Sequence, residues 1–461
     1  MPQISAGHIY QYLKCPSWLW LDAFENREKR TRIQPLGELL MRQGLLEAHH
    51  LLRNRDFVYV AEDDLDAASQ KTLSLMRQGA PVIYKGVLLH GSWVARPDVL
   101  ERVEGRSVWG DYYYIACDLK SARQLEDVHR FQGVFYALLL EKLQNARPVH
   151  GYVMHADGTV SSFLIEQNLP HTHAILEDIE RILQGERPAP FLKPSCAETP
   201  WHHVCREQAE ACDDLSLIAG LTPREHASLR EAGYQTVADL EEVSMQEIMQ
   251  RIPSITGSRI ERLITQAKVL RSGAPQLRMP AALPKTTREI FFTMVIDPSQ
   301  SLVCAIGILV RESGRDRLIT FFADRPTDEA RIWQDAARVL TTYHDASIFH
   351  FGMQDVKELR RLAERYGHVL SVFEYAIDVQ TVTHRSAVFP VYHYTLAELA
   401  GTLGFIRSHG VMNTVDRVAS YHRFLQTENR AARESIISAM EDDLRSIALL
   451  KDWLAHATVG D

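Results

Sequence analysis

Apolar residues along this chain switch between the alternation of strands and the wider spacing of helices. Asp111 to Lys120 (Asp-Tyr-Tyr-Tyr-Ile-Ala-Cys-Asp-Leu-Lys) is an aromatic and aliphatic run that predicts a strand. Leu88 to Val94 predicts an earlier strand, and Gly151–His155 with Thr159–Ile165 predict a hairpin turned at Asp157-Gly158. Val128 to Leu143 has helical spacing, which puts Gln132 and Tyr136 on one helix face. Ser5 reads as the N-cap of a first helix whose apolar face is Ile9, Tyr12 and Leu13. Asp214 to Leu270 is helical in pattern. Ser272–Thr287 carries Pro275, Pro280 and Pro284 among small residues and predicts a linker. Beyond it Ile290–Ile296, Leu302–Val310 and Leu318–Phe322 predict a three-stranded meander. A strand at Ser347–Phe351, a helix at Asp355–Tyr366 and a last helix at Arg430–His456 follow. The order predicts an α/β multidomain protein divided at 1–212, 213–271, a linker at 272–287, and 288–461.

Chemistry concentrates in the first segment. Side chains alternate across a strand, so Asp118 and Lys120 share one face while Cys117 and Leu119 take the other. Two ionisable residues on one side of an apolar strand are expensive unless they have a task there. Asp98, within Arg96-Pro97-Asp98, is expected at the end of the Leu88–Val94 strand. Two carboxylates on neighbouring strands suit Mg²⁺ or Mn²⁺, which prefer oxygen ligands. Such an ion polarises a phosphodiester and acidifies a bound water. Lys120 would orient that water or stabilise developing charge. The alternative is a strand-end ion pair beside an ordinary amphipathic helix.

Pro97-Asp98, Asp118-Leu119-Lys120 and Gln132-Gly-Val-Phe-Tyr136, in this order, resemble the motifs of the PD-(D/E)XK nuclease superfamily, in particular its RecB-like branch. The resemblance spans roughly the first 212 residues and implies a restriction-endonuclease-like core with Asp98, Asp118, Lys120, Gln132 and Tyr136 as catalytic residues. Gln132 and Tyr136 would position Lys120 or the nucleic-acid strand. The family also places a ligand on an early helix. Here Glu47 stands where a histidine is usual, and Ala48 where a glutamate is common. Glu47 is the first choice for a third metal ligand, His49 or His50 the next.

Composition bounds the setting. A chain of 461 residues calls for two or three domains, and 46% hydrophobic with 24% charged residues is ordinary for a soluble globular protein. No apolar run approaches the ~18 residues that span a bilayer. The N-terminus lacks a signal pattern, so a cytoplasmic protein without membrane contact is expected. A formal charge of −8 argues against broad coating of nucleic acid while allowing a local basic groove, for which Arg27–Arg32 is one source.

Six cysteines in such a protein suggest metal ligands or buried thiols. Cys117 and Cys304 lie in apolar strands and read as buried small hydrophobes. Cys15 ends the first helix, and Cys196, Cys205 and Cys212 follow the nuclease-like core. RecB-like exonucleases of the AddB type carry one N-terminal and three C-terminal cysteines on a [4Fe–4S] cluster, usually spaced Cys-x₂-Cys-x₅-Cys. This chain is similar but has Thr199 at the middle position, so the resemblance implies a cluster only if Cys212 serves with Cys15, Cys196 and Cys205. Zinc on the same thiolates, with His202 or His203, is the alternative.

Leu229–Leu240 and Ile252–Ile260 resemble helix-hairpin-helix units, in which free amides at a helix start hold a DNA phosphate; Gly257 and Arg259 fit that use, and a purely structural spacer is the alternative. From 288 onward the order resembles an RNase-H-like fold of the DEDD exonuclease kind, and nearly the whole chain is similar to predicted RecB-family nucleases fused to such a domain. DEDD chemistry begins with Asp-x-Glu on the first strand, where this chain has Thr293 and Val295. Asp355, Asp378 and Asp443 fall near the later acidic positions. The expected function is therefore a Mg²⁺/Mn²⁺-dependent DNA nuclease, an exonuclease on single strands or ends, in repair or defence, with a C-terminal domain that does not cut. A non-catalytic adaptor that binds DNA or a partner such as a helicase is the competing reading, and nothing in the residues separates DNA from RNA.

Overall fold

The computed structural model describes residues 2–31, 56–120, 125–155, 158–193, 195–196, 199–298, 300–367 and 375–459. Glu47, His49, His50 and Asp157 lie outside them. The described residues divide into two compact units, one reaching Arg206 and one running from Glu207 to the C-terminus with Phe191–Lys193 added.

The first unit opens with β1 (Ile4–Ser5), α1 (Ala6–Lys14) and α2 (Pro16–Phe24). Ser5 is the N-cap of α1, as its sequence predicts. After β2 (Val58–Tyr59) and α3 (Leu65–Arg77) come β3 (Val82–Tyr84), β4 (Leu88–His90), β5 (Trp93–Ala95), β6 (Val99–Ser107) and β7 (Gly110–Lys120). Then α4 (Asp127–Gln144), β8 (His150–His155), β9 (Val160–Leu164) and α5 (Ile165–Leu183) follow, with α6 (His202–Ala211) at the division between the units. Six strands form the sheet β2-β3-β6-β7-β8-β9. β6 and β7 are antiparallel, and β8 returns parallel to β7 after α4 crosses over.

The predicted strand Leu88–Val94 is instead the hairpin β4–β5, turned at Gly91-Ser92 and set in a second sheet of order β1-β5-β4. Asp98 consequently does not close that strand but precedes β6. The sequence hid β6 because Val99–Ser107 carries charged residues on its exposed positions and lacks a long apolar run.

α4 is apolar on nearly every side because it is covered on nearly every side. Phe135, Leu139 and Leu140 are fully buried, and the helix packs against β7 and β8 as well as α1 and α5. Burying each such side chain contributes about 1.5–3 kcal/mol. Gly133, inside Gln132–Tyr136, cannot carry a side chain: an added Cβ would lie 2.7 Å from the Phe163 ring.

The second unit begins with two helix pairs, α7 (Pro223–Glu231) with α8 (Val237–Glu242), and α9 (Met245–Arg251) with α10 (Gly257–Ser272). The predicted linker is partly ordered into the body that follows. Within it β10 (Gln276–Leu277) pairs with β16 (Ala387–Val388), and Leu277 is buried among Phe291 and Phe389. The prolines flanking this short strand masked it in the sequence. α10 also joins that body: the Gln266 side-chain amide donates to the Phe389 carbonyl at 2.7 Å. The helical segment and the segment from 288, expected as separate domains, thus share one unit.

The meander is β11 (Arg288–Asp297), β12 (Leu302–Glu312) and β13 (Arg315–Phe322); α11 (Glu329–Thr342), β14 (Ser347–His350), α12 (Gln354–Tyr366), β15 (Ile377–Asp378) and α13 (Val379–Ser386) follow. After β16 the chain ends in α14 (Leu396–Thr402), α15 (Thr414–Thr427) and α16 (Arg430–His456). The sheet order is β13-β12-β11-β14-β15, with β14 and β15 parallel to β11. β11 is central and covered on both faces, which explains an apolar run broken only by Thr293 between Ile290 and Ile296. Ile290, Phe292 and Met294 pack toward α11, whereas Phe291 and Val295 face the side carrying α16.

Candidate functional site

Register brings the two carboxylates of the first unit together. β6 and β7 pair Val99 with Cys117 and Leu100 with Ala116, so one further step sets Asp98 opposite Asp118. The backbone N–H of Asp98 donates to Asp118 Oδ1 at 3.3 Å, and the N–H of Leu119 donates to Asp98 Oδ2 at 2.8 Å. Asp118 is 6% exposed. Its Oδ2 receives Lys120 Nζ at 3.0 Å and the Tyr136 hydroxyl at 3.1 Å. Asp118, Lys120 and Tyr136 therefore meet on the α4 face of β7, while Cys117 packs on the opposite face with Val82, Tyr84 and Val99.

Gln132 does not join them. Its amide donates to the Ala6 carbonyl at 2.9 Å, tying α4 to the start of α1. Tyr136 holds Asp118 rather than Lys120. The Gln-x-x-x-Tyr spacing thus serves two purposes, one scaffold contact and one site contact.

The electrostatics follow from crowding. Burial, and next the neighbouring Asp118 carboxylate, push Asp98 above the usual carboxylate range, with Lys85 opposing both. Burial alone would lower the Lys120 ammonium, but Asp118 and Asp98 outweigh it and raise it. Burial and the same two carboxylates raise the Tyr136 phenol well above its ordinary value. Lys120 is thus held as a cation and Tyr136 as a neutral donor. Burial and the Lys120 charge lower His129, whose Nδ1 accepts the Glu126 N–H at 3.2 Å.

Lys85 is the site residue that sequence reasoning missed. It lies in the turn between β3 and β4, its ammonium is ion-paired with Asp98 Oδ1, and its N–H donates to the Asp98 carbonyl at 2.8 Å. Its φ of 59° is left-handed, which costs a non-glycine residue about 1–2 kcal/mol. Only the residue pair Lys85-Gly86 before an apolar run signals this turn in the sequence.

Among the described residues no group of three or more His, Cys, Asp and Glu side chains is arranged to hold a metal ion. Asp98 and Asp118 supply two oxygen donors, a set that suits Mg²⁺ or Mn²⁺ completed by water and phosphate oxygens.

The cysteines divide. Cys15 receives hydrogen bonds from Cys196 and Cys205, which lower its thiol and favour the thiolate. The same contact with Cys15, together with burial, raises Cys205. Cys212 is exposed, with its thiol against the Gln208 carbonyl at 3.1 Å. The Thr199 hydroxyl donates to the Cys196 carbonyl at 2.8 Å, a local turn contact. Cys117 and Cys304 are buried, as expected for small hydrophobes, and burial raises both thiols.

In the second unit, Gly257 opens α10, but Arg259 is occupied. Its guanidinium grips Glu225 at 2.7 and 2.9 Å and the Gly220 carbonyl at 2.7 Å, joining α10 to the start of α7. The bidentate pair makes Arg259 a structural link rather than an open phosphate ligand.

On the α16 face of β11 the Thr293 hydroxyl bonds Asp355, and Asp443 lies near enough to raise it electrostatically. Burial comes first among the causes that push Asp355 up to about 7. Asp443 is clamped by Arg407 at 2.8 Å and Arg417 at 2.6 Å. Asp378 is apart from this group in purpose: it caps α13, accepting the N–H of Gln380 at 3.0 Å and of Gly352 at 2.8 Å. Two guanidinium groups thus satisfy the acid that a cation would otherwise need. No spacing in the sequence announced either arginine.

A family model described as RNase_H superfamily matches residues 293–455. The chain carries an RNase-H-like domain at its C-terminus, a fold that generally hydrolyses nucleic acids. No curated protein matches the chain. No helix among the described residues is long and apolar enough to cross a membrane.

Proposed function

We propose that the first unit is a PD-(D/E)XK-type deoxyribonuclease dependent on Mg²⁺ or Mn²⁺, acting as an exonuclease on single strands or ends, and that the RNase-H-like domain does not cut. The observation that carries this reading is the opposition of Asp98 and Asp118 with Lys120 bonded to Asp118. Asp98 and Asp118 would hold the ion; when bound, it supplies Lewis-acid polarisation of the phosphate and a more acidic water. Lys120, kept protonated by the two carboxylates, would donate to the phosphate oxygen on which charge develops, so it stabilises charge rather than acting as base. Tyr136 and Lys120 both hold Asp118 Oδ2, which fixes the orientation of the carboxylate.

The inactive assignment of the second domain is supported by Thr293 and Val295, neither of which can replace a charged ligand, and by the arginine clamp on Asp443. The helix pairs fit a helix-hairpin-helix reading, with Gly257 at the start of α10, where a helix N-terminus favours a phosphate, and Arg259 reserved for structure. Cys15, Cys196 and Cys205 are brought together by hydrogen bonds to Cys15, though not in an arrangement that holds a metal by itself. An iron–sulfur cluster or zinc would need the thiols to close around it with a further ligand. Such a group would staple the N-terminal helix to the end of the unit.

The test is degradation of end-labelled single- and double-stranded DNA with Mn²⁺ and reductant. Wild-type protein should release short products, and Asp118→Ala or Lys120→Ala should slow this by roughly a hundredfold or more. Cleavage that survives Asp118→Ala but disappears with Asp355→Asn would place the chemistry in the RNase-H-like domain instead.

A further inference from the structure

The proposed site holds two carboxylates and two ammonium groups, so it is already neutral before any metal arrives. Lys120 belongs to Asp118 and Lys85 to Asp98. Lys85 is placed by more than its side chain. Its N–H bonds the Asp98 carbonyl at 2.8 Å, and the Val87 N–H bonds the buried Thr72 hydroxyl at 2.9 Å. A Cβ on Gly86 would come within 2.8 Å of Leu100, so the turn lies flat against β6. Backbone contacts on both sides therefore hold Lys85 in the left-handed region, with its ammonium against Asp98 Oδ1. The pair is partly open, the lysine side chain 29% exposed and the aspartate 17%, so the ammonium has somewhere to go.

Resting on the metal-site reading above, we propose that Lys85 is a displaceable counter-ion: it occupies Asp98 while the site is empty and must leave Oδ1 for a divalent cation to bind. Divalent affinity is then set by a competition between Lys85 and the ion for one carboxylate oxygen. Without such a cation Asp98 and Asp118 would face each other with a single ammonium between them, a repulsion that burial strengthens. Lys85 relieves it in the empty site and opposes the ion that would relieve it otherwise.

The experiment is Mn²⁺ binding to the full chain, followed by electron paramagnetic resonance at pH 8 to favour the Asp98 carboxylate. The proteins are the wild type, Lys85→Asn, Lys85→Arg and Asp118→Asn, with circular dichroism to verify folding. Asparagine tolerates the left-handed backbone while removing the charge. Lys85→Asn should bind Mn²⁺ roughly fivefold more tightly, the size expected for losing one partly exposed ion-pair competitor. Lys85→Arg should stay near wild type, and Asp118→Asn should lose binding. If Asp118→Asn loses binding but Lys85→Asn is unchanged or weaker, the counter-ion proposal is overturned while the metal site stands. If wild type binds no Mn²⁺, or Asp118→Asn binds it equally, the metal-site reading fails and takes this proposal with it.

Discussion

The Tyr136 hydroxyl donates to Asp118 Oδ2 across 3.1 Å from a buried position. That oxygen also receives Lys120 at 3.0 Å, so helix α4 fixes the carboxylate from one side and strand β7 from the other. Tyr136→Phe should therefore cost about 1 kcal/mol of stability, the worth of one buried hydrogen bond. On the proposed nuclease reading cleavage should fall roughly tenfold, in kcat more than in KM, because the lost contact would orient a catalytic group rather than the substrate. Steady-state kinetics on a single-stranded substrate would show it, and an unaltered kcat would count against the positioning role.

Gln132 predicts the opposite pattern. Its amide is spent on the Ala6 carbonyl, so Gln132→Ala should destabilise the first unit by about 1–2 kcal/mol, chiefly through an unsatisfied buried acceptor. Mn²⁺ affinity should not move. Denaturant melts paired with metal titrations distinguish a scaffold residue from a ligand-positioning one, and weakened Mn²⁺ binding in a folded variant would reverse the assignment.

Asp355 gives a pH signature. Burial raises its folded-state value to about 7, above that of an unfolded aspartate, so the folded protein holds this proton more tightly. The stabilising contribution of the protonated form is complete below the unfolded pKa of about 4 and is lost as pH rises through about 7. Asp355→Asn, which keeps an acceptor for Thr293, should therefore change little at pH 4 and gain on the order of 2–4 kcal/mol over wild type at pH 8. Chemical denaturation at the two pH values checks this. Equal effects at both would mean that Asp355 is already ionised at low pH in the folded chain.

The thiols should separate by position. On the proposed cluster or zinc reading, Cys15→Ser, Cys196→Ser and Cys205→Ser are expected to lose iron or zinc together after anaerobic purification, since Cys196 and Cys205 both bond Cys15. Cys212→Ser should retain it, because that thiol is exposed and faces its own helix carbonyls. Elemental analysis decides the matter, and metal loss in Cys212→Ser equal to the others would restore it as a ligand.

Several features of the fold could be read from local pattern alone. The last helix, Arg430–His456, and the helix around Gln132 follow the apolar spacing because each is long and strongly periodic. The central strand β11 announces itself by a nearly continuous apolar run, and Thr293 and Val295 already exclude the expected acidic pair there. Strand alternation likewise places Asp118 and Lys120 on one side, a consequence of backbone geometry that needs no tertiary information.

What the sequence could not supply was everything that depends on where separate segments meet. β6 escaped notice because half-exposed strands carry charge, and the prolines around Gln276-Leu277 disguised a strand as a linker. Lys85 stands 13 residues from Asp98, Arg407 36 from Asp443, and no periodicity links them. Arg259 had the residue type and position of a phosphate ligand, but Glu225, distant in the chain, claims it. Residue type and spacing determined which groups have chemistry to offer. Only the folded arrangement decided which partner each one takes, because an ion pair forms wherever packing brings charges within reach.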